Sequence, residues 1–392
     1  MKKTIFCLLL VAFGRPATAQ TGYDAVLKEI ETNSIALKAL REQTDAQKLE
    51  NRTGIFSADP EVSFNYLWGN PSGIGNRTDF SVTQSFDIPT ITGMRSQIAA
   101  GQNNLAELQY QSERINLLLE AKHDCIELIY HNALKKELNV RLRHAVMLAD
   151  GYKERLERGD INQLEYNKVL LNLSSVQGEI ARTDVERNAL LSELKRLNGG
   201  VNVTLEEAHY GEVTFPADFE DWYALAEQKN PVLEYVRQET EIGKKRVSLS
   251  KAMGWPTFSA GYMSEKIVGQ QYQGITLDIS IPLWENRNRV RQAKAAVRAA
   301  ETRQTDRKQQ FYSRLRTLYD RANGLRLVAE GYRKALATLN NTELLKKALD
   351  AGEISLLDYT VEIGLYYDTV NRTLDAERDF QKAFAELAAV EL

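Results

Sequence analysis

The chain has 392 residues, 26% of which are charged, and its net charge at neutral pH is −3. This small excess of acid argues against nucleic acid as a partner. The mean hydropathy is −0.40, and no stretch after position 19 approaches the run of ~20 apolar residues that a membrane helix needs. If this chain crosses a membrane, it must do so with strands.

The N-terminus has the pattern of a secretory signal peptide. The chain starts Met1-Lys2-Lys3, continues with an apolar run over residues 5–13, and reaches Ala17-Thr18-Ala19. A basic start, a short apolar run and small residues at a cleavage site are the parts of such a peptide. We therefore expect residues 1–19 to be removed and the mature chain to begin at Gln20.

Cysteine usage is compatible with export but excludes an internal disulfide. Cys7 lies within the apolar run, too early to be the acylated cysteine of a lipoprotein, so that only Cys125 remains in the mature chain. An exported protein with one thiol has no disulfide within the chain. It must be stabilised by packing or by assembly.

A short motif occurs twice and organises the sequence. Gly-Asp-Ile-Asn-Gln-Leu-Glu-Tyr at 159–166 returns as Gly-Glu-Ile-Ser-Leu-Leu-Asp-Tyr at 352–359, and Asp-Ile-Pro at 87–89 returns as Ser-Ile-Pro at 280–282. Both pairs are 193 residues apart. Two matches at one spacing indicate a tandem duplication.

Each repeat is predicted to contain helices with narrow apolar stripes, as in coiled coils. A first helix covers residues 23–52, and a second of about 100 Å covers 94–157 before the glycine turn. The counterparts in the second half are helices at 220–251 and 287–349. The predicted organisation begins with a signal peptide at 1–19 and repeat one at 20–197, which has a tip turn at 158–166. A linker at 198–219, with room for one short strand, then leads to repeat two at 220–392, which has a tip turn at 351–359.

Two β-hairpins interrupt the helices, at about residues 60–89 and 255–284. Apolar and small polar residues alternate along them, which predicts strands with one apolar face. The residues predicted to lie on that face are Val62, Phe64, Tyr66, Phe80, Val82, Phe86, Phe258, Tyr262, Ile275, Leu277, Ile279 and Ile281. Three tryptophans occupy strand ends, where aromatic residues of a membrane interface belong: Trp68, Trp255 and Trp284.

The apolar faces of these hairpins need a partner that the helices do not supply, because each helical stripe is already used by other helices. Lipid hydrocarbon is one such partner, and a tilted strand of ~10 residues spans it. Four strands cannot close a barrel, so several copies must pool their strands. The alternative is a hairpin packed under the helices of a water-soluble coiled-coil protein.

Taken together, these features resemble the TolC family of outer-membrane efflux proteins over essentially the whole mature chain. The features that carry the resemblance are the signal peptide, the hairpin ends at 86–89 and 279–283, the two glycine turns, and the paired asparagines Asn33 and Asn230. The resemblance implies an α+β membrane protein that forms a homotrimer. Its strands would pool into a transmembrane β-barrel of twelve strands, and its long antiparallel helices would form a helical barrel.

The same resemblance implies a function. The trimer would be a passive exit duct in the outer membrane of a Gram-negative bacterium, with its helical part in the periplasm. Its partners would be outer-membrane lipid, a periplasmic adaptor protein and an inner-membrane pump of the RND or ABC type. It further implies an equatorial domain built from about 199–219 and the C-terminal end.

The tip turns are where the resemblance places docking and gating. Their charged and glycine residues would either contact the adaptor or be solvated turn residues; they are Arg158, Gly159, Asp160, Glu165, Gly352 and Glu353. In the family, carboxylates after the second turn narrow the entrance, and Asp358 matches one such position. The companion position holds Val361, with Glu362 next to it, so the family pattern is only partly kept. Asp358 could instead be an acid at a helix N-terminus, as Glu165 is in repeat one.

No residue pattern indicates an enzyme. The sequence lacks a phosphate loop, a zinc signature and a nucleophile elbow, and no cofactor is expected. His123, His131 and His144 are not spaced as a pair on one helix face, and no cysteine or methionine cluster accompanies them, so ordinary histidines are favoured over a metal site. The alternative to a channel is a secreted or periplasmic scaffold or adhesin without channel activity.

Overall fold

The computed structural model describes residues 22–56, 58–86, 88–284, 286–339 and 341–392. The predicted signal peptide lies outside the described residues, as does Asp87 of the 87–89 landmark. The helices are α1 (Gly22–Asn33), α2 (Ile35–Glu50), α3 (Pro89–Glu157), α4 (Gln163–Leu197), α5 (Phe219–Lys229), α6 (Pro231–Ala252), α7 (Arg289–Thr338), α8 (Thr342–Asp350) and α9 (Leu356–Leu387). The strands are β1 (Glu61–Leu67), β2 (Arg77–Phe86), β3 (Thr257–Ile267) and β4 (Gln270–Ser280).

The chain folds into two compact units, and each draws on both halves of the sequence. Among the described residues, the tip unit comprises 22–35, Leu118–Phe215 and Arg321–Glu386, and it contains both glycine turns. The sheet unit comprises Ala36–Leu117, Pro216–Asp320 and Leu387–Leu392, and it contains all four strands. No helix in the described parts of the chain is both long and apolar enough to cross a membrane.

Several helices that the sequence predicts as continuous are divided. The helix predicted over 23–52 breaks at Ser34, where the Asn33 amide donates to the Asn198 side chain across 3.1 Å. The helix predicted over 220–251 breaks at Asn230, because Pro231 disfavours helical geometry in the residue before it. Asn230 then caps α6 by accepting from the backbone N–H of residues 232 and 233. The helix predicted over 287–349 is divided into α7 and α8.

The four strands form one antiparallel sheet in the order β1-β2-β3-β4. The two hairpins are joined through β2 and β3, which pair from Arg77 opposite Ile267 to Phe86 opposite Phe258. The prediction of strand at Ile281 is wrong, because β4 ends at Ser280 and Ile281 follows it.

The segment after α4 packs against α3 without forming the short strand that the sequence suggested. Asn132 on α3 donates from its amide to the carbonyl oxygens of Leu205 and Glu207, over 3.0 and 2.9 Å. The Tyr210 hydroxyl donates to the carbonyl of Ile126, over 2.9 Å. These contacts from α3 satisfy backbone groups that a strand would have satisfied with a neighbouring strand.

Candidate functional site

The first tip turn is a compact helix end followed at once by a new helix cap. Gly159 has φ +82°, a conformation that glycine adopts without the steric cost of a side chain. The backbone N–H of Asp160 donates to the Arg155 carbonyl over 2.8 Å, which closes the end of α3. Asn162 then accepts from the backbone N–H of Glu165 over 3.0 Å and caps α4.

The second tip turn repeats this construction. Gly352 has φ +75°, and the backbone N–H of Glu353 donates to the Ala348 carbonyl over 2.9 Å. Ser355 occupies the cap position of Asn162, and its hydroxyl oxygen accepts from the backbone N–H of Asp358 over 3.2 Å. The two motifs are therefore alike in geometry as well as in sequence.

Two small apolar clusters stabilise the turns from inside the tip unit. Ala149, Tyr152 and Val169 form the cluster behind the first turn. Leu349, Tyr359 and Ile363 form the cluster behind the second. Leu148 on α3 packs against both clusters, so one side chain contacts the apolar residues behind both turns.

A groove of about 540 Å³ opens between the end of α3 and the second tip turn. Its lining includes the apolar side chains of Met147, Leu148 and Tyr152, together with the backbone of Gly151. Charged residues of both signs also line it: Glu154, Arg155, Arg158, Asp160, Lys346 and Asp350.

The residues predicted for docking and gating lie at the two turns or near the start of the helices that follow them. Arg158 is 3.8 Å from both Glu154 and Asp160, in exposed ion pairs that contribute little stability. Glu165 is half-buried, whereas Glu353, Asp358 and Glu362 are exposed. Docking and gating by these side chains stay predictions.

The sheet carries one apolar face across all four strands. The pairing sets Val62 opposite Val82, Val82 opposite Tyr262, and Tyr262 opposite Ile275, and opposed residues share a face. A second row across the strands, on the same face, contains Phe86, Phe258 and Ile279.

This apolar face has no covering layer within the described chain. The side chains of Ile275 and Leu277 are 82% and 79% exposed, and most of the other predicted face residues are also exposed. Trp68 directly follows β1, Trp255 precedes β3 by two residues, and Trp284 follows β4 by four. All three tryptophans are exposed.

The sequence matches no family model and no curated protein. Its structure, in contrast, matches solved outer-membrane channels. The CmeC outer membrane channel of Campylobacter jejuni aligns with a TM-score of 0.75 and 14% identity over 94% of this chain and 85% of that one. CusC, in a structure concerned with transmembrane channel formation, aligns with a TM-score of 0.77 and 14% identity over 93% of this chain and 91% of that one.

The outer membrane protein VceC of Vibrio cholerae aligns with a TM-score of 0.77 and 13% identity over 95% of this chain and 96% of its own. The chain has the fold of these outer-membrane channels. Because the likeness covers nearly all of this chain, the helices and the sheet both belong to that channel fold.

One buried polar cluster within this channel fold was not found from the sequence. Arg141 on α3 is only 6% exposed. Its guanidinium donates to the Asn371 side chain over 2.8 Å and to the Tyr367 carbonyl over 3.2 Å, and it stacks on the Tyr367 ring at 4.5 Å. Its burial could have been predicted from the sequence, because Arg141 lies three residues after Leu138 and four before Ala145, on the apolar stripe of the helix.

The histidines of α3 behave as partly buried polar groups. Burial is the largest cause lowering the pKa of His123, His131 and His144. The ring nitrogen Nδ1 of His144 lies 3.0 Å from the Tyr367 hydroxyl. Within the described ranges, no group of three or more histidine, cysteine or acidic side chains could hold a metal ion.

Proposed function

We propose that this protein is an outer-membrane channel that serves as the passive exit duct of a tripartite efflux system. One observation carries the proposal: an apolar face that runs over four paired strands and is open to its surroundings. An exposed apolar patch of this extent indicates an interaction with lipid or with another protein surface. Its occurrence in a chain with the fold of outer-membrane channels favours lipid.

Strand closure supports assembly into a homotrimer. Within one chain, β1 and β4 lie at the two edges of the sheet. An open sheet edge leaves backbone N–H and carbonyl groups without partners in hydrocarbon, and barrels of single chains begin at about eight strands. Three copies that pair β1 of one with β4 of the next would close a barrel of about twelve strands.

The tip turns support docking to a periplasmic adaptor protein. The groove beside Gly151 offers an apolar floor, and Arg158 and Asp160 provide charges of opposite sign at its border. In this proposal the adaptor links the channel to an inner-membrane pump of the RND or ABC type, which energises transport. The channel itself only conducts.

The proposal includes the organisation of the chain. Residues 1–19 would be the signal peptide, and residues 20–197 and 220–392 the two repeats joined by a linker at 198–219. The order of helices and strands supports the duplication, because two helices, a hairpin and a long helix with a returning helix occur in each half. The tip unit would lie in the periplasm of a Gram-negative bacterium.

Membrane fractionation and planar bilayers test the function directly. We expect the mature protein in the outer-membrane fraction, extracted only by detergent, and stepwise conductance when the purified protein is added to a bilayer. Recovery in the soluble periplasmic fraction without detergent, together with a lack of conductance, would instead identify a soluble coiled-coil scaffold or adhesin.

A further inference from the structure

Two segments of the sheet unit contain many cations and no acidic residue. Residues 242–256, which end α6 and lead into β3, contain four lysines and arginines. Residues 286–300, which follow β4 and begin α7, contain five. Neither segment contains aspartate or glutamate, although the whole chain has slightly more acidic than basic residues.

The first repeat provides an internal comparison. At the 193-residue spacing, the matching segments are 49–63 and 93–107. They contain two cations, Arg52 and Arg95, and four acidic residues. Because the same sequence of elements forms there without a cluster of cations, the cations of the second repeat are not required by the fold.

The two basic segments meet at the base of the β3–β4 hairpin. The Asn286 amide donates to the Met253 carbonyl, and the Arg289 guanidinium donates to the Asn286 side chain over 2.8 Å. Farther along, α6 packs on α7, since a Cβ added to Gly243 would lie 3.2 Å from a methyl group of Val297. The two basic segments therefore lie side by side in the sheet unit.

Most of these cations are exposed and have no acidic partner among the residues that the structure describes. Lys244 pairs with Glu241 at 2.7 Å, and Arg289 is half-buried. The other seven are exposed and have no described carboxylate within 4.0 Å; we call them the basic collar: Lys245, Arg246, Lys251, Arg287, Arg291, Lys294 and Arg298. Farther along α7, by contrast, Arg303 pairs with Glu239 at 3.3 Å and Lys308 with Glu227 at 2.6 Å.

The collar begins where the apolar part of the hairpin ends. Lys251 precedes the exposed Trp255 by four residues, and Arg287 follows the exposed Trp284 by three. Tryptophan beside lysine and arginine is the combination that lies at the boundary between hydrocarbon and lipid headgroups. Clustered cations beside such a boundary bind anionic headgroups.

We propose that the basic collar binds the phosphate groups of anionic phospholipids, in the leaflet on the side of α6 and α7. This inference rests on the proposed outer-membrane location. An acidic protein is the less favoured occupant, because the collar is continuous with the tryptophans and the apolar sheet face rather than with the tip groove. The collar would anchor the second hairpin of each copy at a fixed depth in the membrane.

Tryptophan quenching by brominated lipids tests this proposal on the full-length protein. Trp255 and Trp284 lie beside the collar, so lipids bound there quench their fluorescence. In bilayers of phosphatidylcholine mixed with brominated phosphatidylglycerol, we expect the anionic lipid to bind roughly fivefold more tightly than brominated phosphatidylcholine, about the factor that one cation near an anionic surface contributes. The preference should fall at high ionic strength, where charges are screened.

A collar variant and a matched control separate this effect from net charge. The collar variant carries Lys251→Gln, Arg287→Gln, Arg291→Gln and Lys294→Gln. The control removes the same charge from exposed positions of the tip unit: Lys153→Gln, Lys168→Gln, Arg182→Gln and Lys334→Gln. We expect the preference for the anionic lipid to disappear in the collar variant and to persist in the control.

Equal quenching of the native protein by both lipids would overturn the proposal, as would an unchanged preference in the collar variant. Conductance measured in the same lipid mixtures distinguishes these failures from failure of the channel function. A protein that conducts but shows no lipid preference overturns only the collar proposal. A protein that neither inserts nor conducts overturns the proposed function, and the collar proposal with it.

Discussion

Ser355 and Asp358 cap α9 reciprocally at the second tip turn. The Ser355 hydroxyl donates to the Asp358 carboxylate over 2.6 Å, and the Ser355 backbone N–H lies 3.3 Å from the same oxygen. In return, the Ser355 hydroxyl oxygen accepts from the backbone N–H of Asp358. This capping box accounts for an acidic residue at position 358 without any channel function. The same carboxylate is exposed, so it could also line an aperture.

Asp358→Asn separates the two roles of this carboxylate. If three copies of Asp358 surround the entrance, their negative charges bind divalent cations, which obstruct the passage of other ions. We then expect the asparagine variant to raise single-channel conductance in planar bilayers and to weaken block by divalent cations. Conductance and block equal to those of the native protein would leave Asp358 with helix capping alone.

The control for this experiment is Ser355→Ala, which removes the capping hydroxyl and keeps the charge. Loss of a helix cap typically costs about 1 kcal/mol. We expect this variant to melt at a lower temperature with unchanged block by divalent cations. If Ser355→Ala also weakened the block, disturbed helix geometry rather than lost charge would explain both variants.

Leu277 and Asp278 are neighbours on opposite faces of the sheet. Leu277 is 79% exposed on the apolar face, and Asp278 pairs with Ser259 on the polar face. We expect Leu277→Arg to reduce assembly into the membrane strongly, because arginine on a lipid-facing strand costs about 2–4 kcal/mol at the bilayer midplane. The measurement is the amount of folded protein in the outer-membrane fraction.

Asp278→Arg places the same side chain at the adjacent position and serves as the control. It should assemble nearly as well as the native protein, because the polar face does not contact lipid in the proposed barrel. Equal loss of assembly in both variants would contradict the assignment of the two faces.

Gly151 provides a test of the tip groove. Gly151 lines the groove, and a Cβ added there meets nothing within 4 Å, so this position can carry a larger side chain that obstructs the groove. We expect Gly151→Trp to lower cross-linking to the adaptor by about tenfold, as loss of a central interface contact does. Gly331→Trp is the matched control, because Gly331 on α7 is also a helical glycine with open space around it. Similar cross-linking by both variants would place docking elsewhere.

Asp124 on α3 gives a prediction about pH. Burial, aided by Glu193 and Glu120, raises the pKa of its carboxyl from 3.8 to about 6, and its Oδ2 atom is buried without a hydrogen bond. Because the folded state favours the neutral acid, protonation of Asp124 contributes to the stability of the folded protein. This contribution is complete below the unfolded pKa of 3.8 and is lost as the pH rises through about 6.

Asp124→Asn should therefore stabilise the protein at pH 8 by roughly 1–2 kcal/mol, a value reduced for the partial exposure of the carboxyl. Below the unfolded pKa the variant and the native protein should have similar stability, since the native carboxyl is then neutral as well. Thermal unfolding on both sides of this transition measures the difference. Asp150→Asn, at an exposed position on the same helix, is the control for the loss of one carboxylate.

The parts of the fold that depend on neighbouring residues were predicted well. Alternation along each strand identified the apolar face, because successive side chains of a strand point to opposite sides. The two glycine turns were located because each needs a positive φ at one position, which glycine supplies. Both signals lie within a few residues and need no knowledge of distant contacts.

The features that the sequence did not predict depend on contacts with residues far away in the chain, or on a neighbouring proline that ends a strand. The break at Ser34 coincides with a hydrogen bond from Asn33 to Asn198, which is far away in sequence. Ile281 continues the alternation of β4 but lies beyond the last strand residue, Ser280, because Pro282 follows it and the pairing with β3 has ended. Arg141 fitted the stripe of a helix, yet its burial depends on acceptors from α9.

The sequence by itself determined the duplication, the helical and strand periods, and the two tip turns, since each is a pattern of local stereochemistry. Only the tertiary structure decided that β2 pairs with β3 to merge the two hairpins into one sheet. It also decided that each compact unit draws on both halves of the sequence, and that the two basic segments beside the second hairpin lie side by side. These features arise from contacts between segments far apart in the chain, which no local pattern encodes.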